Sequence, residues 1–140
     1  MKFSDIEPAS WPELKPYFDT CLLPVTALTG SEQPWEATQR LEFLRDVLEL
    51  VEIPYKGRVV TYPAFHYYAG EEDADMLNRV CRQLKQSGFK YVIVMAGSGA
   101  VARDKLTDAD LYLYPESAEA WSSGAFRRTV SERIRELWNT

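Results

Sequence analysis

Tyr91-Val92-Ile93-Val94-Met95-Ala96 decides the fold. Six apolar residues in a row, bounded by Lys90 and Gly97, make a strand rather than a helix. A strand apolar on every residue has both faces covered, which is the habit of parallel sheets sandwiched between helices. Just upstream, Leu77, Val80, Cys81 and Leu84 form the apolar stripe of a helix expected from Ala74 to Ser87. Glu71, Glu72, Asp73 and Asp75 precede it, and their negative charge complements the helix dipole. Gly88 is placed to end it in the left-handed conformation.

Further upstream the pattern repeats. Residues 19–27 read as the first strand, nearly all apolar from Cys21 on. Pro24 offers no N–H, so it marks that strand's end or a bulge. A loop pivoting on Gly30 leads to a helix over 34–52, with Ser31 or Gln33 as cap and Pro34 in its first turn. Ala37, Leu41, Leu44, Leu48 and Val51 share its buried face, widened by Phe43 and Val47. Arg40, Glu42, Arg45, Asp46 and Glu49 take the solvated side. Pro54 and Gly57 stop it, and residues 58–65 read as the second strand. Downstream, residues 110–114 read as a fourth strand stopped by Pro115, and Ala125 to Trp138 as the last helix.

Strands alternating with amphipathic helices predict an α/β fold. The expected form is a three-layer sandwich with a four-stranded, mostly parallel sheet, order 2-1-3-4, and helices on both faces. Only residues 97–109 join the third and fourth strands, which leaves an antiparallel fourth strand as the alternative. Residues 1–140 form one domain on this reading, and residues 1–18 a Pro- and aromatic-rich arm laid on the core through Trp11 and Leu14. Pro12 suits the start of a short helix there, with Ser10 as its cap.

The chain has 140 residues, 46% hydrophobic and 26% charged, enough to bury a core without disulfides or metals. Net charge is -5, which weighs against a nucleic-acid binder. The charge is uneven: residues 121–140 hold four Arg and two Glu, a net of +2, against -7 on the first 120. Arg127, Arg128 and Arg135 can meet an acidic partner or form a solvated face. The N-terminus lacks the apolar core of a signal peptide, and no stretch is long enough to span a membrane. Cys21 and Cys81 match no metal or redox spacing and read as buried free thiols. A cytoplasmic location is expected.

The motifs are few. Gly97-Ser98-Gly99-Ala100-Val101-Ala102 fits G-x-G-x-x-A after a strong strand, but the helix that should follow a dinucleotide turn is too short. A tight strand-to-loop turn is the simpler reading, and an anion-binding nest lies between the two. His66 is the only histidine, which excludes His-rich metal sites. Placed just past the second strand, it is a satisfied ring, a general base or a ligand-binding donor. Ser98, His66 and a carboxylate can be written as a triad, yet Ala96-Gly97-Ser98-Gly99-Ala100 lacks the glycines of a nucleophile elbow. The acidic residues 71–75 lack calcium-loop spacing and read as a helix start.

Ser10-Trp11-Pro12-Glu13-Leu14-Lys15, then Cys21-Leu22-Leu23-Pro24-Val25 and Ser31-Glu32-Gln33, resemble the start of creatininase-type amidohydrolases. Val59 to Pro63 resembles their second strand, and Leu84 to Val94 their helix, Gly-Phe turn and third strand. The departures decide the chemistry. That family holds two metal ions through His and carboxylate ligands. Here Pro34 stands at one of those His positions, and Met95 to Ala100 lacks the His and both Asn of the family's turn. Glu32 alone survives, and one carboxylate cannot hold a metal pair. The resemblance implies the fold and argues against the activity. Tyr17-Phe18-Asp19-Thr20 and Asp108 to Pro115 also resemble the YpiF-like proteins, small proteins of Gram-positive spore-formers with no activity attached.

The expectation is therefore a binding or interaction module without catalysis, metal or cofactor, taking a protein partner or a small molecule. Its site lies at the carboxyl ends of the strands. Glu32, His66, Tyr67, Gly97, Ser98, Gly99 and Glu116 are the candidate ligand-binding residues. The rival is a hydrolase or transferase with His66 as base, Glu32 as its partner and Ser98 as a further catalytic candidate. A homodimer through Phe65 to Tyr68 or through the last helix is a third reading, and an apolar patch near Trp121 or Trp138 would mark a protein-binding face.

Overall fold

A computed structural model describes residues 1–140. Its sheet is entirely parallel and is built around β1 (Thr20–Leu28). On one side lie β2 (Val59–Thr61) and β3 (Phe65–Tyr67); on the other lie β4 (Tyr91–Ala96) and then β5 (Leu111–Leu113). The helices are α1 (Trp11–Leu14), α2 (Pro34–Glu52), α3 (Glu71–Gln86), α4 (Ala118–Ser122) and α5 (Ala125–Trp138).

Alternate residues of β1 and β4 feed two cores. Cys21, Leu23, Val25, Val92 and Val94 pack under α3. Leu22, Ile93 and Met95 pack under α2 and α5 on the opposite face. Each of these three is fully buried, a burial that contributes about 1.5–3 kcal/mol per side chain. The result is the expected three-layer α/β arrangement, with α2 and α3 on opposite faces because their crossovers run in opposite directions along the sheet.

Five strands replace the expected four. Residues 58–65 do not run as one strand: β2 pairs with Thr20–Leu22, β3 with Val25 and Leu28, and Tyr62-Pro63-Ala64 separates them. The Tyr62 N–H donates to the Leu22 carbonyl at 2.8 Å, so Leu22 turns its polar edge toward β2. Two residues on, Pro24 turns the same edge to the gap and has no N–H to offer. Pro63 in the gap has none either. Pro24 thus lies inside β1, opposite Met95, rather than at its end. The register shift falls later, between Val25 and Leu28, where Ala27 takes a φ of 63°.

The connection from β4 to β5 crosses on the α3 face through a 3-10 turn, Arg103–Lys105. Buried Asn78 of α3 pins it: its Nδ2 donates to the Lys105 carbonyl at 2.8 Å, and its Oδ1 accepts from the Asp108 N–H at 3.1 Å. The strand that follows is parallel to β4, not antiparallel.

Two helix boundaries shift for local reasons. The Asp73 carboxylate accepts from the Ala69 and Gly70 N–H groups at 2.6 and 3.2 Å, so the acidic residues form the first turn of α3 instead of leading into it. In α2, Leu44, Val47, Leu48 and Val51 are buried, but Leu41 is 42% exposed although its spacing puts it on the same face. With 19 residues, α2 is about 29 Å long, and its first turns overhang the strand ends.

The N-terminal arm covers an edge. The Met1 carbonyl accepts from the Thr61 N–H at 2.9 Å and Lys2 bridges Thr61, which caps the free side of β2. Phe3 packs edge-on to Tyr62, and Trp11 lies against Phe89.

Candidate functional site

From β1 the chain turns through α2 to β2 on one side, and α3 then carries it to β4 on the other. Such a switch of direction opens a crevice at the carboxyl ends of the two central strands. A cleft of about 710 Å³ occupies that place. Thr26 and Thr29 from the end of β1, Tyr68 beyond β3, Gly97 and Ser98 beyond β4, and Gln39, Arg40 and Phe43 of α2 line it. The overhang of α2 supplies its far wall.

Glycine is needed where the loop after β4 closes on aromatic rings. A Cβ on Gly97 would stand 3.1 Å from the Phe43 ring, and one on Gly99 only 2.7 Å from the Tyr114 ring. Phe43 is braced from behind by Trp121, edge-on with ring centroids 4.9 Å apart. The Phe43 ring is therefore held between Gly97 and Trp121.

Glu32 is committed to its own loop. Its carboxylate accepts from the Thr29 N–H at 2.8 Å, from the Gly30 N–H at 3.0 Å and from the Thr29 hydroxyl at 3.0 Å. The Thr29 N–H is the largest influence on it and outweighs the opposing effect of burial, so the carboxyl is held down to about 2. Arg40 completes the set at 3.2 Å. Glu32 thus positions Arg40, a wall of the cleft, and none of its bonds runs to His66.

His66 lies within β3, not past the strand, and it is exposed. Its Nδ1 stands 3.0 Å from Thr26 Oγ1, so the imidazole reaches the cleft only through the Thr26 hydroxyl. Tyr67 is exposed beside it, and the next residue, Tyr68, is the one that lines the cleft. Gly97 and Ser98 are in the wall of the cleft. Gly99 packs on Tyr114, and Glu116 pairs with Arg103 at 3.5 Å, so neither contributes to the lining.

Sequence reasoning missed Thr26, Gln39, Arg40, Phe43 and Tyr68. Helical spacing puts Arg40 on the solvated face and Phe43 beside the buried one. One available signal pointed to them: the first turns of a helix that follows a central strand overhang that strand's carboxyl end.

Ser98 and Gln39 make no side-chain hydrogen bond within the protein, and Arg40 uses a single contact to Glu32. Polar groups with open valences over an aromatic floor can bind a small polar molecule. No group of three or more His, Cys, Asp or Glu side chains is arranged to hold a metal ion. Burial pushes the thiols of Cys21 and Cys81 up to about 12 and about 11, which leaves both as poor nucleophiles. No helix is long and apolar enough to cross a membrane.

The model of one protein family matches residues 9–140, which spans the arm from just before Trp11, the whole sheet and both walls of the cleft. The chain belongs to DUF2487, described as a protein of unknown function. No curated protein and no solved structure matches it. For this DUF2487 chain, the chemistry of the cleft rests on its own residues.

Proposed function

We propose that this DUF2487 protein is a non-catalytic binding module whose cleft takes a small polar molecule. The observation that carries this reading is the cleft of about 710 Å³ at the switch between β1 and β4, the place and size in which α/β sheets hold small ligands. Ser98, Gln39 and Arg40 would bond the ligand's polar groups, and Phe43 and Tyr68 would pack on its carbon skeleton. The scaffold is read as a creatininase-like one without that family's metal ligands, close to the YpiF-like proteins and placed in the cytoplasm. The lack of a carboxylate on His66 supports binding over hydrolysis, because a general base needs a partner that orients it.

The test is a thermal-shift and ligand-detected NMR screen of sugars, polyols and small carboxylates. It compares the natural protein with Ser98→Trp, which puts an indole into the cleft beside Gly97. At least one chemical class is expected to raise the melting temperature of the first and not of the second. Equal behaviour of both proteins toward every compound would overturn the proposal.

A second reading rests on the contact of 3.0 Å between Thr26 Oγ1 and His66 Nδ1 at the cleft wall. A hydroxyl beside an imidazole is the core of nucleophilic catalysis. His66→Ala separates the two readings. Under the binding reading ligand affinity stays within about threefold, below the ~1 kcal/mol worth of one hydrogen bond. Under the catalytic one a turnover measured on the bound compound disappears.

A further inference from the structure

A second groove of about 490 Å³ runs between α2 and α5, away from the cleft. Its floor is apolar: Leu50, Ile53, Pro54 and Trp121 line it, and Ile53 is 65% exposed. Its two rims carry opposite charge. Asp46 and Glu49 of α2 border it on one side and Arg127 of α5 on the other. Glu49 on the α2 rim and Arg127 on the α5 rim both border the groove, and neither makes an ion pair within the chain. Arg128 and Arg135 on α5, and Glu42 on α2, are likewise without ionic partners.

We propose that this groove is the interface of a two-fold homodimer. A two-fold axis lying along the groove brings α2 of one copy over α5 of the other, and does so twice. Every acidic rim then meets a basic rim, while Ile53 and its apolar neighbours meet across the axis. Isologous contacts require such self-complementarity. A single acidic or basic partner would leave one of the two rims facing like charge, which costs affinity. The exposed isoleucine between the unpaired charges is what the second copy covers.

Sedimentation velocity tests this on the full chain from about 1 μM to about 1 mM, which spans weak to ordinary interfaces. The natural protein should move toward twice its 16.1 kDa mass as concentration rises, and return toward monomer in high salt. Ile53→Glu should abolish the dimer while leaving the circular-dichroism spectrum and thermal unfolding of the monomer intact. Two charge-reversed proteins give the decisive arm: Asp46→Arg with Glu49→Arg, and separately Arg127→Glu with Arg128→Glu. Each alone should be monomeric, because like rims then face each other. Mixed in equal amounts they should form a heterodimer, because opposite rims meet again. A natural protein that stays monomeric throughout would overturn the proposal and leave the groove to a different protein. So would a dimer that survives Ile53→Glu and both charge reversals.

Discussion

At the amino end of the sheet the polar groups satisfy one another; at the carboxyl end they face an open cleft. Arg58 donates through Nε and Nη2 to the two Asp19 oxygens at 2.9 and 3.0 Å, and the Thr20 hydroxyl donates to the same carboxylate at 2.9 Å. Trp138 Nε1 then donates to Thr20 Oγ1 at 3.0 Å, and the Arg58 guanidinium lies 4.0 Å above the indole. Tyr55 closes the group edge-on to Trp138 at 5.0 Å. Burial pushes the Asp19 carboxyl up, but the Arg58 and Thr20 bonds and the nearby cations together hold it below its ordinary value. At the other end Ser98 and Gln39 have no partner. A network whose groups bond one another fixes the chain; polar groups without a partner are available to something else. The difference separates the end that stabilises the fold from the end that can bind.

Breaking the closed end should have the largest effect on stability. Trp138→Ala removes an indole packed on Tyr55, the stack with Arg58 and the bond to Thr20. Because the indole is half-buried, the loss expected in urea unfolding is about 2–4 kcal/mol, the lower part of the range for large-to-small changes. Binding at the cleft should be unchanged at temperatures where the protein stays folded. A loss below about 0.5 kcal/mol would remove the distinction between the ends.

Asn78→Ala should come next, at about 1–3 kcal/mol, because it strands the Lys105 carbonyl and the Asp108 N–H in a partly buried place. Its effect should spread to the open end, since the crossover it pins begins with the Gly97–Ala100 loop. Faster amide hydrogen exchange in residues 97–110 than in α5 would be the sign. Uniform acceleration throughout the chain would mean that Asn78 supports the whole fold and not the crossover.

What was legible in the sequence follows the range of the interactions. The strand 91–96 and the helix 34–52 depend on periodicity within a dozen residues, and they appear where expected. The split of the second strand depends on Pro24 meeting a gap that holds Pro63, two segments far apart in sequence, and no local pattern shows it. The closed end joins Thr20 to Trp138 across 118 residues and was equally hidden. For the cleft, the sheet's polarity leads to Gly97 and Ser98 in its wall. Arg40 and Phe43 were missed because helical spacing says which face is apolar, not how far a helix overhangs its strands.

A pH measurement sharpens the comparison at smaller amplitude. Glu32 has its carboxyl lowered from 4.5 to about 2, first by the Thr29 N–H. A lowered folded value means that the stabilisation is present above the ordinary value and disappears as pH falls toward the folded one. The melting temperature of the natural protein should therefore exceed that of Glu32→Gln at neutral pH, and the gap should close between pH 4.5 and about 2. Asp19 behaves with the same sign at the closed end, so its Asn variant should show a gap that narrows below the ordinary value of 3.8. A gap that widens in acid would show that the bonds favour the protonated forms.

The smallest effect on stability, and the largest on binding, is expected for Arg40→Ala. Arg40 is half-exposed in its ion pair, and the covered Glu32 carboxylate keeps the Thr29 and Gly30 donors without it. Losing one partly exposed contact to a carboxylate that stays hydrogen-bonded should cost about 1 kcal/mol or less, so the unfolding midpoint should hardly move. In the cleft the same guanidinium has its remaining donors free, and a charge-assisted bond to a bound molecule is worth about 1.5–3 kcal/mol. Affinity for a compound from the screen should therefore drop about 10- to 100-fold. Arg40→Lys, which keeps the charge but not the planar fork, should recover only part of it. An Arg40→Ala protein that binds normally would place the ligand on the Ser98 side of the cleft alone. One that unfolds readily would mean that Arg40 belongs, like Arg58, to a network that holds the chain together.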